Sequence, residues 1–187
     1  MNAPEDSGTG GPFHQRRRLL AMGLFGAGAL ALPPRPAAAA AEDGISHTAE
    51  SIHQEPLIAA SRHRIYQALT HADQFERLTQ FSAAIKEMAL GHAPARIEAR
   101  AGGAFALFGG FITGRVIELV ADALIVQAWR PGDWSPGVYS IARFQLMEQG
   151  TETRIVFDHT GFPLGEAGHL AEGWNSNYWD PLRKLLA

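Results

Sequence analysis

The chain has 187 residues, no cysteine, 46% hydrophobic and 19% charged residues and a formal charge of -3, the balance of one globular domain plus a short appendage. That composition excludes collagen-like, coiled-coil and disulfide-scaffold architectures, and the longest apolar run, Leu19 to Leu32, is 14 glycine-diluted residues against the roughly 20 that a membrane-crossing helix needs. Acidic residues outnumber basic ones, 19 to 16, so there is no positive excess to neutralise phosphates, and nucleic acid is not an expected partner.

In chain order, residues 1 to 15 are rich in Gly and Pro, and Arg16-Arg17-Arg18-Leu19-Leu20 follows abruptly. A weakly apolar stretch with Gly23, Gly26 and Gly28 comes next, then Pro33-Pro34-Arg35-Pro36 and an alanine run from Ala37 to Ala41. Positive, then apolar, then small residues is the layout of a secretory signal, and paired arginines before a diluted apolar core look like its twin-arginine (Tat) version. The expectation is export to the periplasm or beyond, with Arg16 and Arg17 read by the Tat machinery and cleavage after one of Ala39 to Ala41. Tat cargo crosses folded, which suits a chain without disulfides. Residues 1–41 are thus read as a cleaved signal, 42–50 as a linker and 51–187 as one domain.

Within that domain, Ser51 to Leu57 reads as a first strand. Ser61 stands where a helix N-cap would, and Arg62 to Leu69 carries Ile65, Tyr66 and Leu69 at helical spacing. Ala72 to Phe81, with Phe75, Leu78 and Phe81 on one side, makes a second short helix. The period then changes to two: Ile97 to Arg100, Ala104 to Phe108, Phe111 to Leu119, Leu124 to Arg130, Val138 to Met147 and Thr153 to Thr160 are expected strands, separated by short glycine- and proline-bearing turns. Such spacing leaves no room for crossover helices, so the pairing is antiparallel. Glu166 to Leu186 then places Leu170, Trp174, Tyr178, Leu182 and Leu185 on one stripe of a long helix. Pro181 inside that stripe predicts a kink near Asn177. The order gives an α+β fold in which a curved antiparallel sheet wraps a long C-terminal helix, with two short helices after the first strand.

Several short words stand in a characteristic order: Gly102-Gly103-Ala104-Phe105, Phe108-Gly109-Gly110, Ile112-Thr113-Gly114, Gln127-Ala128-Trp129-Arg130, Tyr139-Ser140, His159-Thr160-Gly161-Phe162-Pro163 and Gly173-Trp174. Together they resemble the activator of Hsp90 ATPase homologue family, within the SRPBCC (START-like, helix-grip) superfamily, from about Ser51 to the end. The resemblance implies the helix-grip fold and an internal cavity that in relatives holds hydrophobic or aromatic ligands. An exported protein would not meet a cytosolic chaperone, so Hsp90 ATPase activation is carried by the family name alone.

All four tryptophans (Trp129, Trp134, Trp174, Trp179) and two of three tyrosines (Tyr139, Tyr178) lie after residue 128. Apolar bodies with a polar tip suit a small-molecule pocket, although Trp174 fits an ordinary core stripe equally well. The expected lining is Phe105, Phe108, Trp129, Arg130, Trp134, Tyr139, His159, Trp174 and Tyr178. Arg130 is open to an ion pair with Asp133 or to a ligand carboxylate, and Glu118 is expected to face outward. His159 shares a strand face with Ile155 and Phe157, as a satisfied structural group, a ligand contact or an acid-base residue. The glycine-rich stretch Gly102 to Gly114 has neither a Gly-Lys-Ser/Thr nor a Gly-x-Gly-x-x-Gly opening a helix, and neither a metal set nor a Gly-x-Ser-x-Gly elbow is present. No cofactor or metal is expected. The leading expectation is an exported protein, monomer or homodimer, that binds a hydrophobic or aromatic small molecule between sheet and helix. The alternatives are a cyclase- or dehydratase-type enzyme using His159 or Tyr139 to move a proton, and a protein-interaction module using the Gly132 to Gly137 loop.

Overall fold

The computed structural model describes residues 49–83 and 93–187. The expected signal and most of the expected linker lie outside the described residues. Strands β1 (Ala49–Gln54) and β2 (Leu57–Ile58) precede helices α1 (Arg62–Thr70) and α2 (Ala72–Thr79). Six strands follow: β3 (Arg96–Ile97), β4 (Ala104–Leu107), β5 (Ile112–Val120), β6 (Leu124–Pro131), β7 (Ser140–Gln149) and β8 (Glu152–Pro163). The chain closes with α3 (Ala167–Trp174), a π-helical turn (Asn175–Trp179) and α4 (Asp180–Leu186). All the strands form one antiparallel sheet in the order β1-β8-β7-β6-β5-β4-β3, with β2 also on β8. Among the described residues, no helix is long and apolar enough to cross a membrane.

The first strand is broken where Pro56, which has no N–H to donate, interrupts the pairing; its carbonyl instead accepts from the Ile155 N–H at 3.0 Å. Ser61 caps α1 as its hydroxyl accepts from the Arg64 N–H at 3.4 Å. His71, in extended conformation, ends α1 and begins α2, so two short helices form instead of one. On α2, Phe75 and Leu78 are buried while Phe81, beyond the helix end, is exposed.

The strands alternate as a half-buried sheet should. Ile125, Gln127 and Trp129 on β6, Ser140, Ala142, Phe144 and Leu146 on β7, and Ile155, Phe157 and His159 on β8 face the C-terminal helix. A bulge between Val116 and Glu118 turns both Ile117 and Glu118 outward. At Gly114 a Cβ would stand 2.0 Å from the Ala128 carbonyl and 2.4 Å from the Phe105 ring, so the strand is bare where Phe105 crosses it.

The closing helix buries Leu170, Trp174, Tyr178, Trp179, Leu182 and Leu186. Pro181 is accommodated without a lost bond: the π turn places it in the first turn of α4, where its missing N–H is no defect. Two polar side chains of β1 fasten this helix to the sheet. Glu50 accepts from the Ala167 N–H at 3.0 Å, capping α3. Gln54 donates to the Ala171 carbonyl at 3.0 Å and accepts from the Trp179 indole at 2.7 Å.

Candidate functional site

The site grows out of the way β6 and the C-terminal helix diverge. β6 delivers Trp129 and Pro131 on its inner face, and α3 with the π turn delivers Glu166, His169, Leu170, Gly173, Trp174, Asn177 and Tyr178, all on one helical face. Between them lies an apolar cleft of about 130 Å³, whose remaining walls are Phe108, Phe111 and Ile112 at the β4–β5 turn and Asp133 and Trp134 on the β6–β7 loop. This volume compares with the roughly 150 Å³ apolar cavity that holds a benzene ring.

Two features of the backbone make room for it. Between β4 and β5, Phe108, Gly109 and Gly110 have φ of 51°, 68° and 92°. Only glycine adopts that region freely, so the turn holds Phe108 in a conformation that costs an ordinary residue about 1–2 kcal/mol. Packing keeps it there: Phe75, Phe108 and Tyr178 meet edge to face at 5.4, 5.8 and 5.5 Å between ring centres. The second feature is Gly173, mid-helix, where a Cβ would meet nothing within 4 Å. Glycine there sacrifices roughly 0.5–1 kcal/mol of helix stability relative to alanine and leaves the cleft wall bare.

Behind the cleft sits His159, fully buried, in a closed chain of hydrogen bonds. The Trp174 indole can only donate, and it donates to His159 Nδ1 at 3.0 Å. The imidazole proton therefore resides on Nε2, which donates to Ser140 Oγ at 2.6 Å, and that hydroxyl donates to the Trp129 carbonyl at 3.1 Å. Every polar atom is satisfied with the ring neutral, and a second ring proton would face the Trp174 N–H, donor against donor. Burial lowers the His159 pKa from its ordinary value to about 3. The arrangement fixes the orientation of the Trp174 ring and gives His159 no free nitrogen to move a proton.

The cleft floor is the opposite case. Trp129 Nε1 and Tyr178 Oη are both buried, and neither has a hydrogen-bond partner. Burial raises the Tyr178 pKa, and the neighbouring Trp129 N–H, directed at the hydroxyl oxygen, offsets part of that rise, although the pair does not meet full hydrogen-bond geometry. The hydroxyl is therefore protonated at every physiological pH. The Trp134 ring leans edge-on over Trp129 at 5.8 Å, and its loop is held down by Arg130, whose Nη2 donates to the Trp134 carbonyl.

Of the residues expected to line a pocket, the structure brings Phe108, Trp129, Trp134, Trp174 and Tyr178 together at the cleft. Four others stand elsewhere. Phe105 is core, packed across Gly114. Arg130 does not line the cleft: its guanidinium donates to the Trp134 carbonyl and, among the described residues, makes no ion pair with Asp133. His159 lies behind Trp129 and Trp174. Tyr139, half exposed, precedes the inward-facing Ser140, and alternation turns it away. Sequence reasoning missed Glu166, His169, Gly173 and Asn177. Their spacing to Trp174 and Tyr178 carried the signal, since they are the same helical stripe widened by one position. Among the described residues, no group of His, Asp or Glu side chains could hold a metal ion.

Comparison with known proteins places these residues in context. A family model described as activator of Hsp90 ATPase homolog 1-like protein matches residues 59–187. The human activator of 90 kDa heat shock protein ATPase homolog 1 is 28% identical over 95 residues, covering 51% of this chain and 28% of that protein. The Dictyostelium discoideum homolog is 34% identical over 87 residues, covering 46% and 23%. The chain thus matches only about a quarter of the length of these curated relatives. Among solved structures, an HSP90 activator from Plasmodium falciparum superposes with a TM-score of 0.61 at 23% identity, covering 73% of this chain and 95% of that one. CalU16 from Micromonospora echinospora gives 0.58 at 19%, covering 74% and 77%. At such identities these two likenesses speak for the fold.

Proposed function

The chain belongs to the activator of Hsp90 ATPase homolog 1-like protein family, and from that premise we propose that it is a binding module for a small, uncharged, ring-sized apolar group held in the cleft between sheet and C-terminal helix. The observation that carries this reading is the cleft itself: about 130 Å³, walled by three tryptophans, with a helix glycine whose missing side chain keeps it open. Its size sets the ligand class. Much of the aromatic cluster packs against itself, with the Trp174 ring centre 4.4 Å from Phe157 and 4.2 Å from Tyr178, which leaves a small cleft. Asp133 and Glu166 in the lining disfavour an anion.

Toluene titrated into the protein and followed by tryptophan fluorescence tests the proposal. Saturable binding is expected, and it is lost in Gly173→Leu, whose side chain enters the cleft. Gly173→Ala provides the folding control and raises Tm. Unchanged toluene binding in a folded Gly173→Leu protein overturns the proposal.

A second proposal concerns location. Arg16-Arg17 before a diluted apolar stretch and an alanine run supports Tat export. Cell fractionation should find a periplasmic form shortened to one of Ala39 to Ala41, and Arg16→Lys with Arg17→Lys should retain it in the cytoplasm. A full-length cytoplasmic protein would contradict export and favour the activity in the relatives' names, stimulation of a 90 kDa heat shock protein ATPase.

A further inference from the structure

Buried polar atoms in folded proteins are nearly always paired, and each exception requires an explanation. Two such atoms, Trp129 Nε1 and Tyr178 Oη, lie side by side at the floor of one apolar cleft. Trp129 is 4% and Tyr178 5% exposed. Elsewhere in the same aromatic interior the chain does satisfy its indoles: Trp174 donates to His159 and Trp179 to Gln54. The sequence therefore has side chains able to serve buried indoles, and at Trp129 the polar atom beside the indole is the Tyr178 hydroxyl, which does not meet it at full hydrogen-bond geometry.

We propose that Trp129 Nε1 and Tyr178 Oη form an oxygen-binding site at the inner end of the cleft, so that the ligand is a neutral ring carrying a hydroxyl or carbonyl oxygen directed inward. This rests on the cleft being the binding site and adds the ligand's polar chemistry. The indole N–H can only donate, and the protonated tyrosine hydroxyl can donate to the same oxygen or accept from it. A phenolic or alcoholic hydroxyl satisfies both protein atoms, and a carbonyl oxygen accepts from both. A carboxylate is disfavoured on two grounds: it would lose its hydration in an apolar cleft with no lysine or arginine in the lining, and that lining carries Asp133 and Glu166.

Access explains why both atoms are shielded from water as well as unpaired. Trp134 stands edge-on to Trp129, and its loop between β6 and β7 is fastened by a side-chain bond from Arg130 to the Trp134 carbonyl and by turn bonds such as Trp134 N–H to the Pro131 carbonyl. On this proposal, displacing that indole is the route by which a ring reaches the Trp129 N–H. Trp134 thereby acts as a cover that excludes water from the oxygen site and yields to a ring of matching size.

The test compares two rings of nearly equal shape, phenol and toluene, with benzoate as the anion, in calorimetric titrations of the protein and of Tyr178→Phe and Trp129→Phe. Phenol is expected to bind about tenfold more tightly than toluene, the ordinary effect of one or two buried hydrogen bonds. Benzoate is expected not to bind. Tyr178→Phe should bring the affinity for phenol close to that for toluene, the ratio of the two being the readout. Without ligand, that variant should match or exceed the parent in Tm, because it deletes a buried group that has no partner. Toluene binding with no preference for phenol overturns the oxygen site and leaves the apolar cleft standing. Failure of both rings to bind overturns the two together. A lower Tm for ligand-free Tyr178→Phe also contradicts the inference, since it would mean that the hydroxyl is already paired within the protein.

Discussion

Two tryptophans that face each other across the interior, Trp129 on β6 and Trp174 on α3, have ring centres 5.5 Å apart and opposite polar fates. Trp174 anchors a chain of satisfied hydrogen bonds through His159 and Ser140 to the Trp129 backbone, whereas the Trp129 indole N–H, like the Tyr178 hydroxyl, lacks a partner. Both regions are buried and aromatic, so hydrophobicity does not distinguish them. Their hydrogen-bond balance does: a closed chain builds the fold, and an open one at a cleft wall is what the proposed ligand oxygen would complete.

The largest effect that would break this comparison is loss of the closed chain. His159→Ala should destabilise the protein by about 3–5 kcal/mol in chemical denaturation, through a cavity and an unpaired Trp174 N–H. A loss below about 1 kcal/mol would show that the chain is not structural.

Acid attacks the same point with a known sign. The folded His159 pKa, about 3, lies below the unfolded value of about 6.5. His159 therefore contributes stability that is present above pH 6.5 and is lost as pH falls toward 3, about 3 kcal/mol between pH 7 and pH 4. His53, whose bonds to Asp158 and Glu55 raise its pKa, works in the opposite direction, adding stability as it becomes protonated. Denaturation midpoints measured across this range should fall with pH, and most of the slope should vanish in a folded His159→Phe protein.

The position of these groups was only partly legible in the sequence. Alternation along Thr153 to Thr160 put His159 inside with Ile155 and Phe157, and the helical stripe put Trp174 and Tyr178 inside as well. Periodicity reports which face a residue occupies, but not which polar atoms meet across it. His159's partners come from β7 and α3, and Glu50 and Gln54 reach the closing helix from β1, contacts that exist only after the sheet has curled. Tyr139 shows the sensitivity of such reading: one step from the inward Ser140, it belongs to the other face. Pro181 was the reverse case, since a proline that cannot continue an α-helix announced the irregularity that became the π turn.

The smallest effect sharpens the contrast from outside. Tyr139→Ala, on an exposed side chain, should change stability by less than about 0.5 kcal/mol and leave phenol binding unaltered. A loss of binding would return Tyr139 to the site.

The most direct measurement is a phenol titration watched through the four indole N–H signals in a two-dimensional proton–nitrogen NMR spectrum. The Trp129 signal should move most, saturably, and gain protection from solvent exchange as it acquires an acceptor, while the Trp174 signal, already bonded to His159, keeps its position and protection. A Trp129 signal that stays still, or a Trp174 signal that moves as far, would contradict the distinction between a closed structural chain and an open binding floor.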